Sequence, residues 1–273
     1  MGIKDTIEEI NEYTELAYSI LQNDTNYFRV KKIISRIFQN DSDSRFETIC
    51  FRLTIIDNYY STQMNMRFFG IDDLAEKIMK IAKDEKTLQS MSFEYLEGTH
   101  KGGKMNDLFN GTYGINKNGN EAGQAASLIS KYLYFLTDYK FPIFDNLVKV
   151  SYRLIKIRYP ELILEGLNEK FSNAYFQKIR QLNIVTEIND YNKLDNFLWL
   201  ISKLTQGIMS LILDKGRYIH IVKDIEIPKG TKSGKVDELI RKYIEENIAS
   251  LNDLFNENEL KFMKYTYGLM PVK

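Results

Sequence analysis

Cysteine is almost missing from this sequence. Cys50 stands alone among 273 residues, which excludes an internal disulfide and any cluster held by several thiolates. Histidine is nearly as scarce: His100 and His220 are the only two, so a His-rich metal site is not expected, and no cofactor is called for. With only 4 prolines to break the chain, long regular elements are expected. Neither sign of charge dominates, since 37 Lys and Arg balance 37 Asp and Glu. A chain built to coat nucleic acid would be more basic, although a local basic groove stays open. No apolar run approaches the roughly 18 residues of a membrane span, and "MGIKDTIEEI" is charged from its fourth residue, unlike a signal peptide. These absences point to a cytoplasmic protein with no membrane partner. At 44% hydrophobic residues it can bury a sizeable core in one or two domains.

What the chain does have is helical periodicity. "TIEEINEYTELAYSILQN" places Ile7, Ile10, Tyr13, Leu16, Ala17, Ile20 and Leu21 on one stripe. "VKKIISRIFQN" follows, then Asp41 to Ser44, a polar break suited to an N-cap. "RFETICFRLTIIDNYYSTQMN" is apolar on nearly all sides and reads as a central buried helix. In "IDDLAEKIMKIAKD", Asp72 and Asp73 sit at the positive N-terminal end. Residues 98–123 gather seven of the 15 glycines, with several Asn and Lys, and read as loop. Helices resume at "AASLISKYLYFL", "DNLVKVSYRLIKIRY", "SNAYFQKIRQLNIV", "YNKLDNFLWLISKLTQGIMSLIL" and "KVDELIRKYIEENIASLNDLF". "GRYIHIVKDIEIPKGTKSG" alternates and suggests a short strand pair. The fold class expected is all-α.

Between the helices "AASLISKYLYFL" and "DNLVKVSY" sits "FPIFD", an acid directly after Phe141, Pro142, Ile143 and Phe144. Asp145 has two readings. It caps the helix that follows, or its carboxylate is held among apolar neighbours for chemistry, with the helix dipole favouring its ionised form.

Three segments together resemble the helix-hairpin-helix DNA glycosylases. "FRLTIIDNYYSTQMNMRFFGIDDLAEKI" is similar to that family's opening helix pair. A Gly-rich link before "AASLISKYLYFL" stands where its hairpin and second helix would be. "KFPIFDNLVKVSY" is similar to the apolar-Pro-x-x-Asp segment with the family's catalytic aspartate. "YNKLDNFLWLISKL" also fits a C-terminal helix of some relatives, so the resemblance covers about residues 46–204. It implies a two-lobed helical fold, with residues 46–140 in one lobe and residues 1–45 and 141–273 in the other. It also implies duplex DNA with a modified base as partner, and release of that base by N-glycosidic cleavage. Such enzymes pull the base from the stack into a pocket, and an ionised carboxylate stabilises the oxocarbenium-like sugar. Asp145 takes that role.

The resemblance implies further residues. Members that also cut the backbone carry a Schiff-base lysine near the start of the hairpin's second helix. That place falls at Gln124 to Ser127, where no lysine stands; Lys131 lies four to seven residues further on. Standing off that place, Lys131 is expected to be solvated or DNA-facing. Lys131 stays a candidate catalytic residue, but a monofunctional enzyme is expected, with Gln124 and Ser127 orienting the attacking water. Gln63 and Asn65 resemble residues that fill the space left by a flipped base; a polar helix end is the plainer reading. Gly119 and Gly123 bring backbone near a phosphate, and Lys101, Lys104 and Lys117 add charge, though "GTYGINKNGNEAG" lacks the family's compact Leu-Pro-Gly-x-Gly core and reads equally as a surface loop. Tyr59, Tyr60 and Trp199 are candidate pocket aromatics or ordinary core, as are Phe68 and Phe69. Lys223, Lys229, Lys232 and Lys235 surround a Gly-containing loop, in contact with phosphate or simply solvated. A catalytically silent all-α module that binds nucleic acid or protein remains the alternative. A metal-dependent nuclease is disfavoured for want of a suitable acidic cluster.

Overall fold

The computed structural model describes residues 2–23, 25–39, 45–99, 103–164, 173–208, 213–225, 227–228 and 230–270. The N-cap expected at 41–44, together with His100, Lys101 and Lys229, lies outside them. The chain folds as α1 (Ile3–Asn23), α2 (Thr25–Gln39), α3 (Arg45–Tyr60), α4 (Gly70–Ile81), α5 (Glu85–Glu97), α6 (Lys104–Asn110), α7 (Ala126–Leu136), α8 (Asn146–Arg158), α9 (Asn173–Val185), α10 (Tyr191–Gln206), α11 (Lys215–Asp224), α12 (Ser233–Asn247) and α13 (Glu257–Gly268). Among the described residues the β pairing consists of isolated bridges, Phe68 with Ile115 and Ile115 with Glu121. The protein is all-α. No helix among these residues is long and apolar enough to cross a membrane.

Local chemistry sets the helix ends. Asp84, Asp145, Asp190 and Asp214 each accept a backbone N–H of the first turn that follows, and Asn256 forms a reciprocal capping box with Glu259. Gly98 and Gly207 close α5 and α10 in the left-handed conformation, at φ 75° and 69°. The buried stripe of α1 is Thr6, Ile10, Thr14, Ala17 and Leu21, the three-and-four spacing of an amphipathic helix.

Three sequence expectations are corrected. The alternation in 216–234 does not make strands: Asp214 caps α11, and Ile221 alone of that helix is buried. The Gly-rich stretch 98–123 contains α6, because Met105, Leu108 and Phe109 recur at helical spacing and are buried. Third, α3 is not buried all round. Phe51 and Tyr59 are 54% and 49% exposed, while Arg52 and Asp57 are buried.

α1 packs on α10, α2 and α13, and α10 packs on α8; α3 packs on α4, α7 and α2, and α5 on α9. The interior has two characters. Around α5, α6 and α9 it is aromatic: Tyr95 lies 5.2 Å from Phe109, Phe109 5.1 Å from Phe176, and Phe176 5.0 Å from Phe141. Between α2, α7, α8 and α10 it is polar, and the candidate site lies there.

Candidate active site

Past α7 the chain reverses through Asp138 and Tyr139, both left-handed at φ 50° and 66°, into the buried run Phe141 to Phe144. Two hydroxyls pin that run. Ser130 Oγ on α7 accepts the Phe144 N–H at 2.8 Å, and Tyr175 Oη on α9 donates to the Ile143 carbonyl at 3.1 Å. Asp145 therefore arrives at a fixed place. Its Oδ1 accepts the Leu147 N–H at 2.9 Å, so it caps α8, and the residue is half-buried rather than turned to bulk solvent.

Lys131 is not the solvated or DNA-facing lysine expected. It is 3% exposed. α7 is buried at every position from Leu128 to Leu136, and a helix apolar all round leaves no open face. The Lys131 Nζ donates to Ser127 Oγ at 2.7 Å and stands 5.4 Å from the Tyr60 ring centroid. Among the described residues Ser127 is its hydrogen-bond partner, which leaves two N–H donors unused. Burial pulls its pKa below the usual lysine range, while Asp145 and then Asp195 push it back up.

On α10, Asp195, Trp199 and Lys203 lie four residues apart on one stripe. Asp195 belongs to a hub centred on Lys31 of α2. The Lys31 Nζ has four acceptors: Asn196 Oδ1 at 2.8 Å, Tyr134 Oη at 2.9 Å, Asn192 Oδ1 at 3.0 Å and Asp195 Oδ2 at 3.3 Å. Tyr27 donates to Asn196 Oδ1 at 3.2 Å, and its ring lies 4.6 Å from Trp199. Burial lowers the Lys31 pKa, opposed by Asp195. Burial raises that of Asp195, against the pull of Lys31. Lys203 is buried with its Nζ 5.4 Å from the Trp199 ring. Burial lowers its pKa and Asp145 raises it. Asp145 thus acts on lysines from two helices.

The fold gathers Ser127, Lys131, Asp145, Tyr60 and Trp199, all anticipated, around residues that sequence reasoning missed: Lys31, Asp195, Lys203, Tyr27 and Asn196. A readable signal existed. Lys31 interrupts the apolar stripe of Tyr27, Ile34 and Phe38, and Lys131 interrupts a helix that is otherwise almost wholly apolar.

A second group forms a rim. Buried Asp57 ties down the turn after α3. Its Oδ1 accepts the Met64 N–H at 2.9 Å and the Thr62 hydroxyl, and its Oδ2 accepts the Asn65 N–H at 2.9 Å. Arg67 clamps that turn to the strap before α7, donating to the carbonyls of Gly123 at 2.8 Å and Gln124 at 3.0 Å. The turn that carries Gln63 and Asn65 is thus tied through Arg67 to Gly123 and Gln124. Ser61, Gln63 and Phe69 are left-handed. Gly114, at φ 72°, lies so close to the turn that an added Cβ would sit 2.7 Å from the Phe68 carbonyl oxygen. Beyond it Asn116 to Asn120 fold into a tight tongue with Lys117 and Gly119 exposed at its tip. Between α6 and α7 the chain thus places this tongue where a compact hairpin was sought. Tyr59 points outward, apart from Tyr60, because one residue step turns the helix by about 100°. Met66, Phe68 and Phe69 are 60%, 55% and 71% exposed beside it.

Cavity sizes set a constraint. The cavity touching Asp195, lined also by Ile143, Val148 and Leu198, is about 10 Å³, room for about one water. Larger hollows of about 430 and 570 Å³ lie along α9 and beside Tyr13 and α13, away from Asp145 and Lys131. Among the described residues no group of three or more His, Cys, Asp or Glu could hold a metal ion. No protein-family profile, curated protein or solved structure matches the chain.

Proposed function

We propose that this protein releases a base from DNA by a helix-hairpin-helix glycosylase-like route, using the Asp145 carboxylate and the Lys131 amine. The supporting observation is the buried Lys131 Nζ, held 2.7 Å from Ser127 Oγ and acted on by Asp145. Burial lowers the Lys131 pKa and so raises its share of neutral amine at a given pH; Lys131 takes the place of water as the nucleophile. Its lone pair forms a bond to C1′ of the deoxyribose while the N-glycosidic bond breaks. The bonding electrons leave with the base, which takes up the proton that Nζ sheds. The ring oxygen then leaves C1′ and takes up the second Nζ proton as the C1′–Nζ double bond forms. Asp145 stabilises the positive charge that develops on the sugar.

The rim gives DNA a surface: Gln63, Asn65 and Gln124 beside exposed Phe68 and Phe69, with Lys117 on the tongue. Lys131 is buried, so a base reaches it only as the side chains over it rearrange.

The test is a panel of duplexes with damaged or modified bases, incubated without metal and quenched with borohydride. Expected are abasic products and a protein–DNA adduct that vanishes in Lys131→Met. The second reading, a silent binding module, is favoured by the burial of the Lys131 amine. DNA binding with no base released from any duplex would establish it and overturn the first.

A further inference from the structure

The formal charge of the chain is zero, but the helices do not share it evenly. α1 carries five acidic side chains and one lysine, whereas α2, packed against it, carries Arg29, Lys31, Lys32 and Arg36 and no acid. The acids of α1 are engaged elsewhere. Asp5 accepts the Gly2 N–H and Glu9 the Tyr159 hydroxyl, while Glu8 pairs with Lys4, Glu12 with Lys261 and Glu15 with Lys193. The nearest acids in sequence, Asp24 and Asp41, lie beyond the two ends of α2.

α2 has two opposite faces. Lys31 and Ile34 are buried on the inner one, with Tyr27 and Phe38 packed beside them. At about 100° per residue, Arg29, Lys32 and Arg36 fall within one outer arc, and all three are exposed. Among the described residues no side-chain ion pair or hydrogen bond reaches these three cations; the Lys32 Nζ stands 4.5 Å from the Phe28 ring centroid. On other helices exposed cations meet an acid one turn away, as Lys4, Arg241 and Lys242 do with Glu8, Glu245 and Glu246. Like charges three and four residues apart repel one another, and a bound polyanion relieves that repulsion. Seven residues span about 10 Å of helix axis, a length over which one DNA strand presents about three phosphates. A guanidinium grips a phosphate with two parallel N–H bonds. Ile33, 38% exposed, is the one exposed large apolar side chain of this helix. The face therefore lacks the apolar centre that a lipid surface or a protein partner would bury.

We infer that the outer face of α2 binds the phosphodiester backbone of duplex DNA through Arg29, Lys32 and Arg36, irrespective of base sequence. The inference takes DNA as partner from the base-excision reading and adds a contact surface beyond the rim residues. α2 packs on α3 and α7, the helices of Tyr60 and Lys131, so a strand gripped there is one helix away from the candidate site.

The test is the anisotropy of a fluorescent, undamaged duplex bound to the full-length protein, with salt varied between about 50 and 200 mM. In Arg29→Gln/Lys32→Gln/Arg36→Gln the slope of log affinity against log salt is expected to fall in magnitude by about 2–3, since each phosphate contact contributes about 0.9. The fall is the same for every duplex sequence. Removal of three other exposed cations, in Lys4→Gln/Lys242→Gln/Lys261→Gln, keeps the slope, as does Arg29→Lys/Arg36→Lys. Should the triple α2 variant not fold, its three single variants carry the test, each lowering the slope by about 0.9. An unchanged slope in the α2 variants overturns the inference, as does an equal change in the control variant or a wild-type protein that binds no duplex. Binding to vesicles of phosphatidylcholine and phosphatidylserine that is lost with the α2 charges, while duplex binding stays, overturns it in favour of a lipid surface. No turnover enters the measurement. A trapped adduct with an unchanged slope removes only the role of α2, whereas a lowered slope without any adduct keeps the phosphate-binding face and removes the excision reading.

Discussion

The aromatic interior around α5, α6 and α9 and the polar seam between α2, α7 and α10 are both buried, but by opposite means. In the first, Tyr95, Phe109, Phe141 and Phe176 lie ring to ring, and removal of apolar surface from water is enough to drive their assembly. In the second, Lys31, Lys131, Asp195 and Lys203 leave water behind, which costs several kcal/mol per ion before partners return it. Replacing a buried ion pair by well-packed apolar groups is often neutral, and the proposed function is therefore placed at this charged seam rather than in the larger surface hollows.

The contrast can be broken or sharpened by experiment. The largest effect is expected from Asp145→Asn. Asn caps a helix about as well as Asp, so the melting temperature should hold while base release falls on the order of 10²–10³-fold; a drop in melting temperature with no activity in either protein would leave capping as the residue's only task. Phe176→Ala should cost about 3–5 kcal/mol in chemical denaturation, since it opens the aromatic core. Lys31→Met should cost a similar ~3–5 kcal/mol by stranding Asp195, yet Lys31→Met with Asp195→Leu should recover most of that loss, because a buried pair replaced by apolar groups is often neutral. Equal losses in the single and double variants would mean that the seam holds the fold rather than the chemistry. Next comes alkali. Burial holds the Tyr27, Tyr60 and Tyr134 hydroxyls well above their ordinary value of 10.0 and pushes Tyr132 up to about 12. Stability from these groups is fully present below pH 10 and is lost as pH rises through the raised values. Tyrosinate absorbance should therefore lag behind that of free tyrosine and then appear together with unfolding. The smallest effect is that of Asp145→Ala on folding, about 1 kcal/mol for a lost cap, read from the same denaturation curves.

Much of the helical framework was readable because it depends on local spacing. The stripe of α1 and the cap at Asp145 follow from neighbours within four residues. Where two patterns competed locally, reading failed: α6 was hidden by glycines, and the alternation over α11 imitated strand. Asp145 was conspicuous because it follows Phe-Pro-Ile-Phe. Lys31 was not, since its partners Tyr134 and Asn196 lie 103 and 165 residues away along the chain, and no local pattern encodes such a meeting. Lys131 lies between these cases. Counting positions from the resemblance pointed it outward, whereas the apolar composition of its own helix pointed it inward, and burial of the whole helix decided the matter.

The clamp made by Asp57 and Arg67 carries one more consequence. A rim whose turn is already tied by carboxylate and guanidinium needs little ordering on binding, so under the proposed function the entropic toll of docking a duplex is small. On that proposal, encounter with DNA should be quick and similar for every sequence, and discrimination between normal and altered bases should appear in how long each complex lasts.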